Sequence, residues 1–164
     1  MARRDKSDRT LVKDKGNRRY EILATERFDC APRELWELLC DWERFVAVGL
    51  PGMTSGFRWI SGGPRKSPSR FEFAVAGTVL KEEIYELTAD PQAGRYRVCY
   101  RALEPALGVL EYDAVLDATS PDGRTTLLET RRAVQLEAGS GPDMLAAMID
   151  GEMQSLKDHF AATG

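Results

Sequence analysis

The stretch 140–161, SGPDMLAAMIDGEMQSLKDHFA, contains the only long helical pattern in the chain. Ser140 followed by Asp143 resembles a capping box, and Pro142 fits the first turn of a helix, where its missing N–H costs nothing. Apolar residues then recur at steps of three and four, as on one face of a helix: Leu145, Ile149, Met153, Leu156 and Phe160. The pattern predicts a C-terminal helix whose apolar face has to be covered by the rest of the chain.

The chain before this helix is dominated by strand patterns separated by turn residues. A first strand at 20–29 precedes two short helical segments, which begin at Pro32 and near residue 43. Because a wide sheet tends to curl, we expect the C-terminal helix to lie on its concave side. The predicted fold is α+β, with a curved antiparallel sheet of six to seven strands around the long helix. The remaining strands are predicted at 54–60, 70–75, 79–87, 95–103, 109–118 and 125–137.

Length and composition indicate one globular domain. The chain has 164 residues, of which 43% are apolar and 30% charged. No apolar run approaches the roughly 18 residues of a membrane span, and the N-terminal region lacks the apolar core of a signal peptide, so we expect a cytoplasmic protein. The three cysteines are widely spaced, which favours reduced thiols. The sequence contains no metal-ligand spacing and no phosphate or dinucleotide loop, so we expect neither a metal nor a cofactor.

Positive charge is concentrated near the N-terminus. Residues 1–19 contain eight Lys or Arg and three Asp, whereas the whole chain has a net charge of −3. We interpret residues 1–19 as a basic, flexible tail and residues 20–164 as the folded domain. Contact between the tail and an anionic partner is the alternative interpretation, but the acidic body argues against a nucleic-acid groove, so no nucleic-acid partner is expected. The sequence leaves open whether the protein is a monomer or a homodimer.

The turn SPDG at 120–123 predicts the register of the last hairpin. Pairing the first and last residues of this turn places Leu116 opposite Leu127, and these two apolar side chains belong against the core. On each strand, the residues two and four positions away from these leucines then face inward as well. This register points three polar side chains at the interior: Tyr112, Glu129 and Arg131.

Alternation along the other strands predicts more residues on the apolar faces: Glu26, Phe71, Phe73, Glu82, Tyr96 and Tyr100. We interpret Trp59, Phe71 and Phe73 as core or cavity wall. Charged groups that face an apolar space are costly unless they are paired or functional. Either Arg131 neutralises Glu129 and Glu82 in a static network, or these groups bind a ligand in a cavity.

Several short motifs occur in the order typical of one superfamily. They are FDCAP at 28–32 with Leu35-Trp36, Gly77 with Glu82 and Ile84, and YDAVL at 112–116, ahead of the terminal helix. With these motifs, the chain from residue 20 to residue 160 resembles the START-like, or SRPBCC, superfamily. The resemblance implies a helix-grip fold, in which the sheet holds the C-terminal helix around a hydrophobic cavity. Within the superfamily the chain looks most like the polyketide cyclase/dehydrase and lipid-transport branch, which includes aromatic cyclases, carriers and ligand sensors.

The enzyme hypothesis is a cyclase, dehydratase or related lyase that acts on a hydrophobic carbonyl compound. A carboxylate kept in an apolar cavity has a raised pKa and can act as a general base near neutral pH. Glu129 or Glu82 would remove a proton next to the carbonyl. The enolate oxygen would be held by Arg131 with Tyr112 or Tyr100.

The alternative hypothesis is a non-catalytic carrier or sensor of a lipid-like or aromatic ligand. Arg131 would bind an acidic headgroup, and methionines at the start of the last helix would adapt to the shape of the ligand. Under both hypotheses the partner is a hydrophobic small molecule. Its predicted contacts are Glu26, Trp59, Phe71, Phe73, Tyr96, Tyr100, Met144 and Met148.

Overall fold

A computed structural model of the chain describes residues 9–163. Its eight strands form one antiparallel sheet in the order β1-β2-β8-β7-β6-β5-β4-β3. The predicted α+β helix-grip fold is confirmed, because the curved sheet holds α3 and two short helices follow β2. The elements are β1 (Thr10–Gly16), β2 (Arg19–Phe28), α1 (Pro32–Cys40), α2 (Trp42–Gly49), β3 (Thr54–Ser61), β4 (Ser69–Val75), β5 (Thr78–Asp90), β6 (Arg95–Ala102), β7 (Val109–Thr119), β8 (Thr126–Leu136) and α3 (Asp143–Thr163).

The first strand corrects the predicted tail. Residues 10–16 are not a flexible segment but form β1, which pairs with β2 along its length. The turn between the two strands contains Asn17 and Arg18, both with positive φ (55° and 59°), as in a two-residue hairpin turn. The strand pattern of β1 is weak because most of its residues are exposed and several are charged. Residues 1–8 of the predicted tail lie outside the described residues.

The core lies between the concave face of the sheet and the three helices. α1 begins at Pro32, and the Glu34 carboxylate accepts a hydrogen bond from the Ala31 N–H (2.9 Å), which fixes the start of this helix. The apolar stripe predicted for α3 is buried from Ile149 to Phe160, with Met153 and Leu156 fully enclosed, and Leu145 at its start is half-buried. Burial of these apolar faces is the main force that holds the helices on the sheet. Among the described residues, no helix is apolar enough over a sufficient length to cross a membrane.

The register of the last hairpin differs from the prediction. β7 and β8 pair with Leu116 opposite Thr130, three residues further along than the expected Leu127. An odd shift reverses the face to which each side chain of a strand points. The predicted inward orientation of Glu129 and Arg131 is therefore wrong, and both residues are exposed on the outer face of the sheet.

The hairpin loop explains this shift. The Ser120 Oγ–H donates to the Thr125 carbonyl oxygen (2.6 Å), and Asp122 Oδ1 accepts from the backbone N–H groups of Arg124 and Thr125 (2.9 and 2.8 Å). These bonds organise residues 120–125 into a loop that is wider than a four-residue turn. As a result, the inward-facing residues of β8 are Thr126, Leu128, Thr130, Arg132, Val134 and Leu136.

Candidate functional site

A cavity of about 730 Å³ lies between the concave face of the sheet, α2 and the N-terminal half of α3. Its size is within the range of small-molecule sites. Exposed residues from the loop after β6 and from the segment before α3 surround its mouth. Apolar side chains form most of the wall, including Trp42, Phe45, Leu50, Phe73, Leu145 and Ile149.

A polar cluster interrupts this apolar wall. Glu82, Tyr100, Tyr112 and Glu152 line the cavity, and Arg132 binds Glu152 with 2.7 Å between Nη2 and Oε1. The hydroxyl oxygens of Tyr100 and Tyr112 are 2.9 Å apart. Polar groups that converge in an otherwise apolar cavity are the usual form of a ligand-binding site.

Strand pairing brings the members of the polar cluster together. Ala114 pairs with Tyr100 on one side and with Arg132 on the other, so a small residue separates the phenol from the guanidinium. Glu82 enters from β5, where it pairs with Ala102. Ala114 and Ala102 have small side chains, which leaves space above the sheet for the longer polar side chains, whereas the neighbour of Glu82 on β4 is Phe71.

Glu152 reaches the polar cluster from α3, and Gly49 at the end of α2 leaves room for it. A Cβ atom at Gly49 would lie only 2.9 Å from Glu152 Cγ. Such a contact is too short for unbonded carbon atoms, so a larger residue at this position would displace Glu152 or the helix. The close approach of α2 and α3 thus depends on a glycine.

Arg132 is the buried cation of the cluster, with 1% of the residue exposed. Its Nε and Nη1 atoms have no hydrogen-bond partner among the described residues. Burial opposes the positive charge, but the hydroxyls of Tyr112 and Tyr100 and the Glu152 carboxylate more than offset this effect and hold the guanidinium pKa well above its ordinary value. Arg132 therefore stays charged, and Glu152 is its counterion.

The acidity of the Glu82 carboxyl group is strongly altered by its surroundings in the cavity. Burial, and then the negative charge of Glu152, raise the pKa of Glu82 from 4.5 to about 8, although Arg132 acts in the opposite direction. The residue is 8% exposed and makes no hydrogen bond to the other described residues. At neutral pH most of this carboxyl group is protonated, and it is free to interact with a ligand.

The two tyrosines provide hydrogen-bond donors beside Glu82. Burial is the main reason that the pKa of Tyr100 lies well above its ordinary value and that the pKa of Tyr112 rises to about 12. Both hydroxyls therefore remain protonated at neutral pH. Because only one of them can donate to the other, the second proton is available to an oxygen atom of a ligand.

Comparison with solved structures supports the fold assignment. A hypothetical protein from Helicobacter pylori matches with a TM-score of 0.68 and 13% identity, covering 84% of this chain and 86% of its own. Major latex-like protein 151 from Panax ginseng matches with a TM-score of 0.65 and 14% identity over 87% of this chain and 98% of its own. The likeness is one of fold.

A third structure is norcoclaurine synthase from Thalictrum flavum, solved in complex with dopamine and hydroxybenzaldehyde. It matches with a TM-score of 0.57 and 15% identity over 92% of this chain and 89% of its own. At these identities the likeness to all three structures shows the fold alone. No protein-family model matches the chain, and no curated protein sequence matches it.

The structure places the sequence-predicted catalytic residues in two groups. Glu82 and Tyr112 line the cavity. Glu129 and Arg131 lie on the opposite face of the sheet, exposed to solvent, because the hairpin register differs from the predicted one. Glu129 and Arg131 therefore do not face the cavity.

The predicted ligand contacts divide in the same way. Phe73, Tyr100, Met144 and Met148 line the cavity, and Met144 is 85% exposed at its mouth. These four residues are in position to contact a ligand.

The other four predicted contacts lie outside the cavity. Phe71 is fully buried under Phe57 and Phe73, and Trp59 packs edge-on against Phe71. Tyr96 lies against Trp36 of α1. Glu26 forms ion pairs with Arg9 (2.8 Å) and Lys157 (3.0 Å). Phe71 and Tyr96 belong to the core, and Trp59 is half-buried against it. Glu26 helps to attach α3 to the first two strands.

The sequence prediction missed Arg132 and Glu152. The signal for Arg132 was the alternation in β8, since residues 128, 134 and 136 are Leu, Val and Leu and share its parity. The register inferred from the turn outweighed this signal. Glu152 lies three residues after Ile149 and four before Leu156, so helical spacing alone places it on the buried stripe. In the part of the chain that the structure describes, no three His, Cys, Asp or Glu side chains are arranged to hold a metal ion.

Proposed function

We propose that the protein binds an apolar carbonyl compound in the cavity and transfers a proton at the carbon next to the carbonyl group. This is the acid–base chemistry of the cyclase and dehydratase class. The observation that carries the proposal is the Glu82 carboxyl group, which lines an apolar cavity and has no hydrogen-bond partner among the described residues. The fold is compatible with catalysis, since one of its structural neighbours is a synthase.

Glu82 and the tyrosines have complementary roles in this reaction. The ionised Glu82 carboxylate takes the proton from the carbon atom, and the electron pair of the broken C–H bond moves toward the carbonyl oxygen. The free hydroxyl proton of the Tyr100–Tyr112 pair donates to that oxygen as its negative charge develops. The protonated Glu82 can then return the proton to carbon, or give it to a hydroxyl group that leaves as water.

The proton transfer can be tested without the natural substrate. The probe is 2-tetralone, an apolar ketone with exchangeable hydrogens next to its carbonyl, and exchange with D₂O is followed by NMR. We expect the protein to accelerate exchange above the buffer rate. The acceleration should rise with pH around a midpoint of about 8, where half of Glu82 is in its basic form, and level off at higher pH.

Glu82→Gln keeps the size of the side chain and removes the base, so it should lower the protein-dependent exchange rate by at least about 100-fold. Glu129→Gln is the matched control, because this carboxylate lies on the outer face of the sheet, and it should exchange the probe like the wild type. Full activity of a folded Glu82→Gln variant, or no acceleration by the wild type, would contradict the proposal.

A carrier or sensor is the second candidate function. It is favoured by the exposed Met144 at the cavity mouth, which offers an adaptable apolar contact to an entering ligand. Binding of 2-tetralone without accelerated exchange is the result expected for a carrier. Measuring both the binding of 2-tetralone and its hydrogen exchange by NMR therefore separates the two functions.

A further inference from the structure

We infer that the cavity selects its ligand by charge: it accepts an apolar molecule whose polar end is neutral or cationic and excludes a carboxylate or phosphate of the same shape. This inference rests on the proposed binding of apolar molecules in the cavity and specifies their chemical class. It reverses the expectation, based on Arg131, that an acidic headgroup is bound.

The inner end of the cavity offers no free positive charge among the described residues. The positive charge there belongs to Arg132, but its guanidinium forms an ion pair with Glu152, with 2.7 Å between Nη2 and Oε1. Glu152 lines the cavity and Arg132 does not. An entering ligand therefore meets the carboxylate before the guanidinium, and the pair as a whole is neutral.

The mouth of the cavity is acidic. Lys81 is the only cation among the described cavity-lining residues, and it lies 3.9 Å from the Glu104 carboxylate. Glu137 and Asp143 are exposed at the same mouth. The side chains at the mouth therefore have a net negative charge, which repels anions and attracts cations before binding.

The balance of charges determines which polar ends can enter. A ligand carboxylate would lose its hydration without gaining a cation, and it would lie near the negative charge of Glu152, so its burial is strongly unfavourable. A neutral hydroxyl or carbonyl can accept a hydrogen bond from the protonated Glu82 or from a tyrosine hydroxyl. An ammonium group can pair with the Glu82 carboxylate after the carboxyl proton has left to solvent.

A set of probes with one shape and three charges tests this inference. The probes are 1-adamantanol, 1-adamantylammonium and 1-adamantanecarboxylate, titrated into the wild-type protein at pH 7 and followed by protein NMR shifts. We expect the alcohol and the ammonium to bind, and the carboxylate to bind at least tenfold more weakly than either. A carboxylate that binds as tightly as the alcohol would overturn the inference while leaving the proposed cavity binding intact.

Two variants show whether Glu82 causes the selectivity. Glu82→Gln should reduce the ratio of ammonium affinity to alcohol affinity at least fivefold, because it removes the carboxylate that pairs with the ammonium. Glu129→Gln, on the outer face, should leave all three affinities unchanged. An unchanged ratio in Glu82→Gln would remove Glu82 from the selection mechanism and contradict the inference. If none of the probes binds the wild type, the proposed binding function fails, and the inference fails with it.

Discussion

At the scale of single residues, the acidity of Glu82 depends on burial first and on the two charges of the Arg132–Glu152 ion pair second. The pair is buried, so each charge has lost its hydration and depends on the other for compensation. Glu152 raises the pKa of Glu82, and Arg132 lowers it. Burial is the largest cause of the weak acidity of Glu82, and the effects of the two charges partly cancel.

Glu152→Gln should change both the stability of the protein and the acidity of Glu82. The variant leaves the Arg132 charge buried without a counterion, so we expect the free energy of unfolding to fall by about 3 kcal/mol in urea denaturation. It also removes the negative charge that raises the pKa of Glu82. The midpoint of the pH dependence of 2-tetralone exchange should therefore move to lower pH. A midpoint that stays in place or rises would contradict the proposed coupling.

At the scale of elements, the contact between α2 and α3 decides where Glu152 lies. α2 ends at Gly49, and the absence of a side chain there allows the Glu152 side chain to pass on its way to Arg132. A second glycine, Gly151, lies in the middle of α3 with nothing within 4 Å of the position that a Cβ would take. Gly49 is therefore required for packing, whereas Gly151 has no packing role.

Alanine substitutions at the two glycines should have opposite effects. Gly49→Ala forces a contact with Glu152, and we expect a loss of about 1 to 3 kcal/mol in the free energy of unfolding. Gly151→Ala should stabilise the protein by about 1 kcal/mol, because alanine favours an exposed helix interior more than glycine does. Both are measured by urea denaturation. Equal effects at the two positions would show that helix propensity, and not the contact with Glu152, decides the outcome.

At the scale of the whole molecule, the curvature of the sheet exceeds what one helix can fill. α3 packs against β2, α2 and β1, and the space left on the side of β5 and β6 is the cavity of about 730 Å³. Protein interiors are normally packed as densely as organic crystals, so an apolar space of this size lowers stability. The cavity thus lowers the free energy of unfolding, and a ligand-binding function is a reason for the fold to retain it.

Filling the cavity should separate binding from stability. Ala102 lines the cavity on β6, and Ala102→Phe places an aromatic ring in the empty space. We expect 2-tetralone binding to weaken at least tenfold, while the melting temperature stays the same or rises because new apolar contacts form. Ala133→Phe, on the exposed face of β8, is the control and should bind the probe normally. Unchanged binding in Ala102→Phe would place the ligand site elsewhere.

The predictable part of the candidate site came from local periodicity. Period-two alternation in β5 and β6 was sufficient to place Glu82 and Tyr100 on the inner face, since each of these strands has one apolar side. The charged strand β1 could not be predicted in this way, because an exposed edge strand has no apolar side to reveal it. Arg132 on β8 was missed because its orientation depends on the loop that precedes the strand.

The amino-acid sequence by itself determined the order of the elements from β2 onward, the buried stripe of α3 and the antiparallel sheet that covers it, because each depends on spacing between near neighbours in the chain. Only the tertiary structure decided that Arg132, and not Arg131, faces the interior. That choice depends on hydrogen bonds made by Ser120 and Asp122 and on pairing with β2 and β7 at once. It also brought Glu82, Arg132 and Glu152 together, although they come from three distant elements and no local pattern relates them.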